Sequence, residues 1–157
     1  MGVELPPFQR LLDEHGAALY RFLYFKVGPF DAGDCYQETM VSALRAYPDL
    51  KSADNLRAWL FTIAHNKVID RGRSSQRRPV PVATIPEQPA AAVDVDVRDD
   101  ELWSAVKKLP DGQRDAVLFR FVGDLTYADV GATLGCTEAA ARQRVKEGIA
   151  KLREAVK

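Results

Sequence analysis

Residues 125–152 read LTYADVGATLGCTEAAARQRVKEGIAKL. Thr126 to Asp129 has the form of a capping box, with Asp where Glu is usual, so a helix opens after Thr126. Gly135 follows its last apolar residue, Leu134. Thr137 can then cap a second, longer helix running from Glu138 to about Val156. A short helix, a glycine-containing turn and a longer helix make a helix-turn-helix. Gly131 and Ala132 are small enough to let the two helices cross closely, and Val130, Leu134, Ala141, Val145 and Leu152 would form their shared core. On a helical wheel Ala141, Val145, Gly148 and Leu152 gather on one side. Ala139, Arg142, Gln143, Lys146 and Glu147 gather on the other, a face suited to the major groove. A plain helical hairpin with a solvated face would carry the same apolar stripe. The turn glycine and the basic outer face together favour DNA.

Working outward, helical periods continue upstream. Asp99 to Glu101 put negative charge at a helix start, where the macrodipole favours it. Leu102, Val106 and Leu109 form that helix's stripe, and Pro110 follows. A further helix from about Gly112 to Val122 is expected to bury Ala116, Val117 and Phe121. Residues 79–98, PVPVATIPEQPAAAVDVDVR, contain four prolines and no helical period, and read as a flexible Pro/Ala-rich linker. Val93, Val95 and Val97 alternate like a strand but have no partner strand to pair with. In the first half, Phe8, Leu11, Leu12, His15, Leu19, Phe22 and Leu23 recur every three or four residues. A second helix opens at Asp31 or Asp34, runs through Tyr36, Met40, Val41 and Leu44 to Tyr47, and is stopped by Pro48. After the loop DLKSAD, Asp54 caps a third helix holding Leu56, Trp59, Leu60, Ile63, Ala64 and Ile69. The expected fold is all-α: two small helical domains, residues 1–78 and 99–157, joined by the linker 79–98, the second domain a helix-turn-helix.

Composition narrows the function. The 157 residues are 46% apolar and 28% charged, which allows packed cores and excludes wholesale disorder. No apolar run approaches the roughly 20 residues that span a bilayer, so no membrane insertion is expected. The start, MGVELPPFQR, lacks the pattern of a signal peptide, and Gly2 lacks that of a myristoylation site. Cys35 and Cys136 do not form a disulfide framework, which fits a cytoplasmic protein. With His15 and His65 they do not have zinc-ligand spacings, so neither metal nor cofactor is expected. There is no P-loop, no dinucleotide turn and no nucleophile–base pattern, so an enzyme is not expected. The formal net charge is zero, which alone argues against bulk nucleic-acid binding. Its distribution points the other way. Residues 51–80 carry seven basic and two acidic side chains, and residues 136–157 carry six and three. Two basic blocks separated by acidic ones suit a chain that touches nucleic acid in two places.

The first block lies in AWLFTIAHNKVIDRGRSSQRR, residues 58–78. Trp59 and Phe61 precede Lys67, Arg71, Arg73, Arg77 and Arg78. Aromatic and basic side chains on one helix can stack unpaired bases and hold phosphates, although a single helical Trp is more often core. In DCYQETMVSALRAY, residues 34–47, Asp34, Gln37, Glu38 and Arg45 share much of one face, in itself a weak signal.

Taken in order, these segments resemble the bacterial RNA polymerase sigma factors of the extracytoplasmic-function group. DAGDCYQETMVSALRAY is similar to the family's acidic residue followed by Gln-Glu. LRAWLFTIAHNKVIDRGR is similar to its Trp-Leu, Ile-Ala, Asn, Asp, Arg series, and LPDGQRDAVLFRFVGDLTYADVGATLG to its Leu-Pro, Gln-Arg, Leu-Thr/Ser-Tyr and Leu-Gly pattern. The resemblance implies an alternative sigma factor that binds core RNA polymerase, directs it to promoters and melts the −10 element. It implies core polymerase, promoter DNA and an anti-sigma factor as partners. By position, Asp34, Gln37 and Glu38 would face the polymerase clamp. The −10 strand would meet Leu50, Lys51, Ser52, Asp54, Asn55, Trp59, Asn66, Lys67, Arg71 and Arg73, with the loop from Leu50 to Asn55 shaping a pocket for a flipped base. Thr137, Arg142, Gln143, Arg144 and Lys146 would meet the −35 element. Some residues depart from the family pattern: Ala140 stands where Thr is frequent, Glu147 where a basic residue is frequent, Met40 where an aromatic is usual, and His65 is unusual at its place; Gly148 weakens a helix by up to about 1 kcal/mol. Glu147 is expected to approach phosphates and oppose binding; the other reading is an i,i+4 pair with Lys151 that only braces the helix. The alternative is a sigma-like decoy that binds an anti-sigma factor without reading DNA.

Overall fold

The computed structural model describes residues 4–75 and 100–156, and all regular structure among them is helical. The chain divides into two units, Met1–Asp94 and Val95–Lys157. The expected linker, with Val93, Val95 and Val97, lies outside the described residues, as do Arg77 and Arg78 of the first basic block and the side chain of Arg73.

The first unit packs α1 (Phe8–Val27), α2 (Ala32–Ala46) and α3 (Leu56–Ser75) against one another. The α1 stripe behaves as its period predicts at Leu11, Leu19, Phe22 and Leu23, all buried. Phe22 meets Phe61 of α3 edge-on, with ring centroids 5.5 Å apart. Phe61 is fully buried, so it serves the core and cannot stack a base. The α2 expectation needs correction. Val41 and Leu44 are 46% and 56% exposed, and the inward face is made by Ala32, Cys35, Thr39, Met40 and Ala43. Most of these side chains are small and let α2 settle close to its neighbours. Burial pushes the Cys35 thiol up to about 11, so this sulfur stays protonated and inert.

Pro48 does not simply stop α2. The chain tightens into a 3₁₀ turn, Tyr47–Asp49, where proline is tolerated because early N–H groups have no acceptor anyway. The cap of α3 is Asn55, not Asp54. Asn55 Oδ1 accepts from the Ala58 N–H at 3.4 Å, while the Asp54 N–H donates to Ser52 Oγ at 3.0 Å. Asn55 sits at φ 60°, a left-handed conformation that Asn tolerates better than most residues.

The second unit comprises α4 (Asp100–Lys107), α5 (Asp111–Phe121), α6 (Tyr127–Leu134) and α7 (Glu138–Ala155). Arg114 Nη2 donates to the carbonyls of Lys107 and Leu109 at 2.7 and 2.8 Å, fixing the corner between α4 and α5. The caps fall where the sequence puts them. Thr126 Oγ1 accepts from the Asp129 N–H at 3.1 Å and Thr137 Oγ1 from the Ala140 N–H at 3.0 Å. Gly135 closes α6 at φ 73°. Of the two small residues in α6, only Gly131 makes the close approach: a Cβ there would lie 2.7 Å from the Cys136 carbonyl oxygen, whereas Ala132 faces solvent. Phe121 is also a correction. It is 61% exposed, while Leu118 and Phe119 are buried in its place, because α5 ends there and the chain turns away into the Val122–Thr126 loop. No helix among the described residues is long and apolar enough to cross a membrane.

Candidate nucleic-acid interfaces

In the second unit the inward side of α7 is Ala141, Val145, Gly148 and Leu152, all buried, and its outward side is Ala139, Arg142, Gln143, Lys146 and Glu147, all exposed. Burial of the first set against α5 and α6 decides which residues are left for a partner. Thr137 is exposed at the helix start, where its side chain is spent on the cap. Arg144 is only half-exposed. Its side-chain carbons and Nε approach to 3.8 Å of where a Cβ on Gly112 would stand, so it lies along α5 and apart from the outward set.

The outward side chains are held by their neighbours. Arg142 Nη2 pairs with Glu138 at 2.9 Å, one turn earlier. The Arg142 guanidinium also lies 4.7 Å from the ring centroid of Tyr127. The Arg120 guanidinium lies at the same distance from that ring, and donates to the Leu125 carbonyl at 2.9 Å. Gln143 Nε2 donates to Glu147 Oε1 at 3.0 Å, and Gln113 Nε2 of α5 donates to Glu147 Oε2 at 3.1 Å. The Glu147 carboxylate therefore accepts two amides.

In the first unit the expected residues separate into groups. Lys51, Ser52, Asp54, Asn55 and Asn66 are exposed, and Lys67 is half-exposed. Leu50 and Trp59 instead pack, partly buried, on the cluster of Leu11, Ala43, Tyr47 and Leu60, with the Trp59 ring 6.0 Å from that of Tyr47. Their apolar surfaces serve the core that supports the loop. Arg71 crosses to α2. It is hydrogen-bonded to Asp34, with Asp31 at 3.8 Å and Glu38 at 3.9 Å. The structure thus joins an arginine expected at DNA to two acids expected at the polymerase. Gln37 and Glu38 remain exposed, beside Val41 and Leu44.

The sequence reading missed Tyr127, Gln113 and the Arg71 pairings. Glu147 follows Gln143 by four residues, an amide–carboxylate spacing that could have been read from the sequence. Gln113 is 34 residues away from Glu147, and only the crossing of α5 and α7 brings them together.

The Sigma-70 region 2 family model matches residues 11–78, and the Sigma-70, region 4 model matches residues 105–154. The ECF RNA polymerase sigma factor BldN of Streptomyces coelicolor is 31% identical over 147 residues, covering 87% of this chain and 55% of BldN. The ECF RNA polymerase sigma factor EcfG of Rhodopseudomonas palustris is 32% identical over 127 residues, covering 77% of this chain and 68% of EcfG. Among solved structures, the sigma factor RpoE from Bartonella quintana, in complex with the anti-sigma factor NepR, is similar with a TM-score of 0.73 and 26% identity. That likeness covers 95% of this chain and 96% of RpoE.

Proposed function

This chain belongs to the extracytoplasmic-function sigma factors of the sigma-70 family, and from that premise we propose that it binds core RNA polymerase, directs it to promoters and opens the −10 element. The observation that carries the reading is the outward face of α7. Arg142, Gln143 and Lys146 stand exposed on one side of the longer helix of a helix-turn-helix, where an arginine, an amide and a lysine can reach base edges and phosphates.

Unit one supplies the second contact. The exposed Lys51, Ser52, Asp54 and Asn55, with Asn66 and Lys67, take the separated −10 strand, and the core under Leu50 and Trp59 holds their loop in place. Extruding a base costs a few kcal/mol of unstacking, which such a pocket must offset. Gln37 and Glu38, with Asp34 and the exposed Val41 and Leu44, form the polymerase-facing side of α2. Residues 1–78 and 99–157 act as two domains joined by the linker 79–98, so binding of one element raises the effective concentration at the other. The chain works by binding, in the cytoplasm beside the polymerase, and bond-making is left to the polymerase. An anti-sigma factor is its proposed regulator, by likeness to the RpoE–NepR complex.

The test is reconstitution with core polymerase and footprinting of promoter complexes. The parent chain is expected to protect both elements and to open the −10 segment. Arg142→Ala with Lys146→Ala should lose −35 protection while retaining core binding. Core binding with no protected promoter would refute the initiation reading and leave the decoy.

A further inference from the structure

The bonding around Glu147 carries more than the charge of the site suggests. A carboxylate only accepts hydrogen bonds, whereas an amide both donates and accepts. Each amide that meets Glu147 must therefore present its nitrogen. Gln143 does so to one oxygen at 3.0 Å and Gln113 to the other at 3.1 Å. Gln113 presents its nitrogen to Glu147, and its Oε1 is left buried without a hydrogen-bond partner.

The approach of Gln113 depends on the next residue. A Cβ on Gly148 would lie 3.6 Å from the Gln113 carbonyl oxygen, 3.7 Å from its Cβ and 2.7 Å from Val117 Cγ2. Glycine at 148 thus lets α5 come close enough to reach Glu147. Gly148 and Glu147 act together: Gly148 brings the helices together, and the carboxylate beside it then holds one amide from each.

The consequence falls on Gln143. With one amide hydrogen given to Glu147, its oxygen and its other N–H remain. That is the pair a glutamine uses on adenine, accepting from N6 and donating to N7 in the major groove. We propose that Glu147 is a positioning residue, which fixes the amide of Gln143 for reading an adenine in the −35 duplex. The proposal rests on α7 being the duplex-reading helix and deepens that reading into a base preference. It gives Glu147 a role opposite to simple repulsion of phosphate.

The experiment uses the full chain bound to core polymerase and a pool of promoter duplexes randomised over the −35 segment. Bound duplexes are sequenced for the parent, Glu147→Gln, Gln143→Ala and the double variant. The parent is expected to enrich adenine at one position, and Gln143→Ala to flatten that position. Glutamine at 147 is close in shape but no longer dictates which end of the neighbouring amide it meets. Glu147→Gln should reduce the adenine preference at the same position by about tenfold, the scale of one good bidentate contact, and leave other positions unchanged. In the Gln143→Ala background it should change no position. Affinity for a scrambled duplex should not fall, since a negative charge has been removed. A purely structural role would move all positions together, or none.

Adenine preference that survives Glu147→Gln but is lost in Gln143→Ala would overturn the positioning role while sparing the reading of α7. A position altered by Glu147→Gln in the Gln143→Ala background would show that the carboxylate reads a base by itself, also overturning the proposal. If Gln143→Ala leaves every position unchanged, the premise fails with it.

Discussion

Gly148→Ala sets helix propensity against packing, and the structure decides the sign. Alanine is better than glycine in a helix interior by about 0.8–1 kcal/mol, so propensity alone predicts a stabilised unit. The new Cβ, however, would lie 2.7 Å from Val117 Cγ2, against a carbon–carbon optimum of about 3.5–4.0 Å. Roughly 1 Å must be found. Val117 is buried and β-branched, with one strongly preferred rotamer in a helix, so its methyl cannot swing aside cheaply. Overpacking of this kind costs about 1–3 kcal/mol. The net expectation is a loss of about 1 kcal/mol, or some 4–8 °C in Tm for a unit of this size.

Trp103 of α4 reports the second unit alone in a Trp59→Phe background, so urea unfolding followed by its fluorescence measures the change without interference from the first unit. Val117→Ala should by itself cost about 2 kcal/mol, because it leaves a cavity. Combined with Gly148→Ala it should cost less than the sum by about 1 kcal/mol, since the added methyl enters the vacated space. A rise in the urea midpoint for Gly148→Ala, or strict additivity in the double variant, would refute the close crossing of α5 and α7.

Three further outcomes are expected. Tyr127→Leu removes the ring beside Arg142 and should weaken duplex binding about two- to fivefold in fluorescence anisotropy, the scale of one exposed cation–π contact, while Tyr127→Phe preserves it. Arg71→Gln should lower the stability of the first unit by about 0.5–1 kcal/mol, after allowance for the exposure of its acidic partners. It should change binding of single-stranded −10 DNA less than Lys67→Gln does. His15 should give the first unit an acid sensitivity: burial, then the nearby Arg57, hold its pKa below the ordinary 6.5, with Glu14 opposing. The unfolded chain therefore takes up the proton first, so this stability is whole above about pH 6.5 and is lost as pH falls toward the lowered folded value. His15→Gln should flatten that part of the unfolding profile, read from Trp59 in a Trp103→Phe background.

What could be read from the sequence was whatever a single helix decides for itself. The Thr126 and Thr137 caps, the Gly135 stop and the division of α7 into two faces need only the 3.6-residue period and local hydrogen bonding. Positions depending on two or more elements were harder. Val41 and Leu44 read as core because they are apolar and suitably spaced, yet smaller side chains on α2 set its close face. Phe121 read as core because the period reaches it, but the helix that carries it ends there. Trp59 read as a −10 strand contact from the basic run behind it, and its ring also packs, partly buried, beside Tyr47 on the cluster that carries Leu50. Arg71 read as a phosphate contact for the same reason, and three acids of another segment lie around it.

The same distinction explains why Glu147 and Gly148 look unfavourable when read along the chain. A carboxylate on a DNA-facing helix repels phosphate, and a glycine in mid-helix weakens it. Both statements hold for an isolated α7. Against α5 they change meaning, because the missing Cβ is what admits Gln113, and the carboxylate is what orders the amides that meet it. Repulsion from one exposed charge acts on all duplexes alike and is screened by salt, whereas the orientation of one amide acts on one base pair. A chain can therefore lose some general affinity at this face and gain discrimination there.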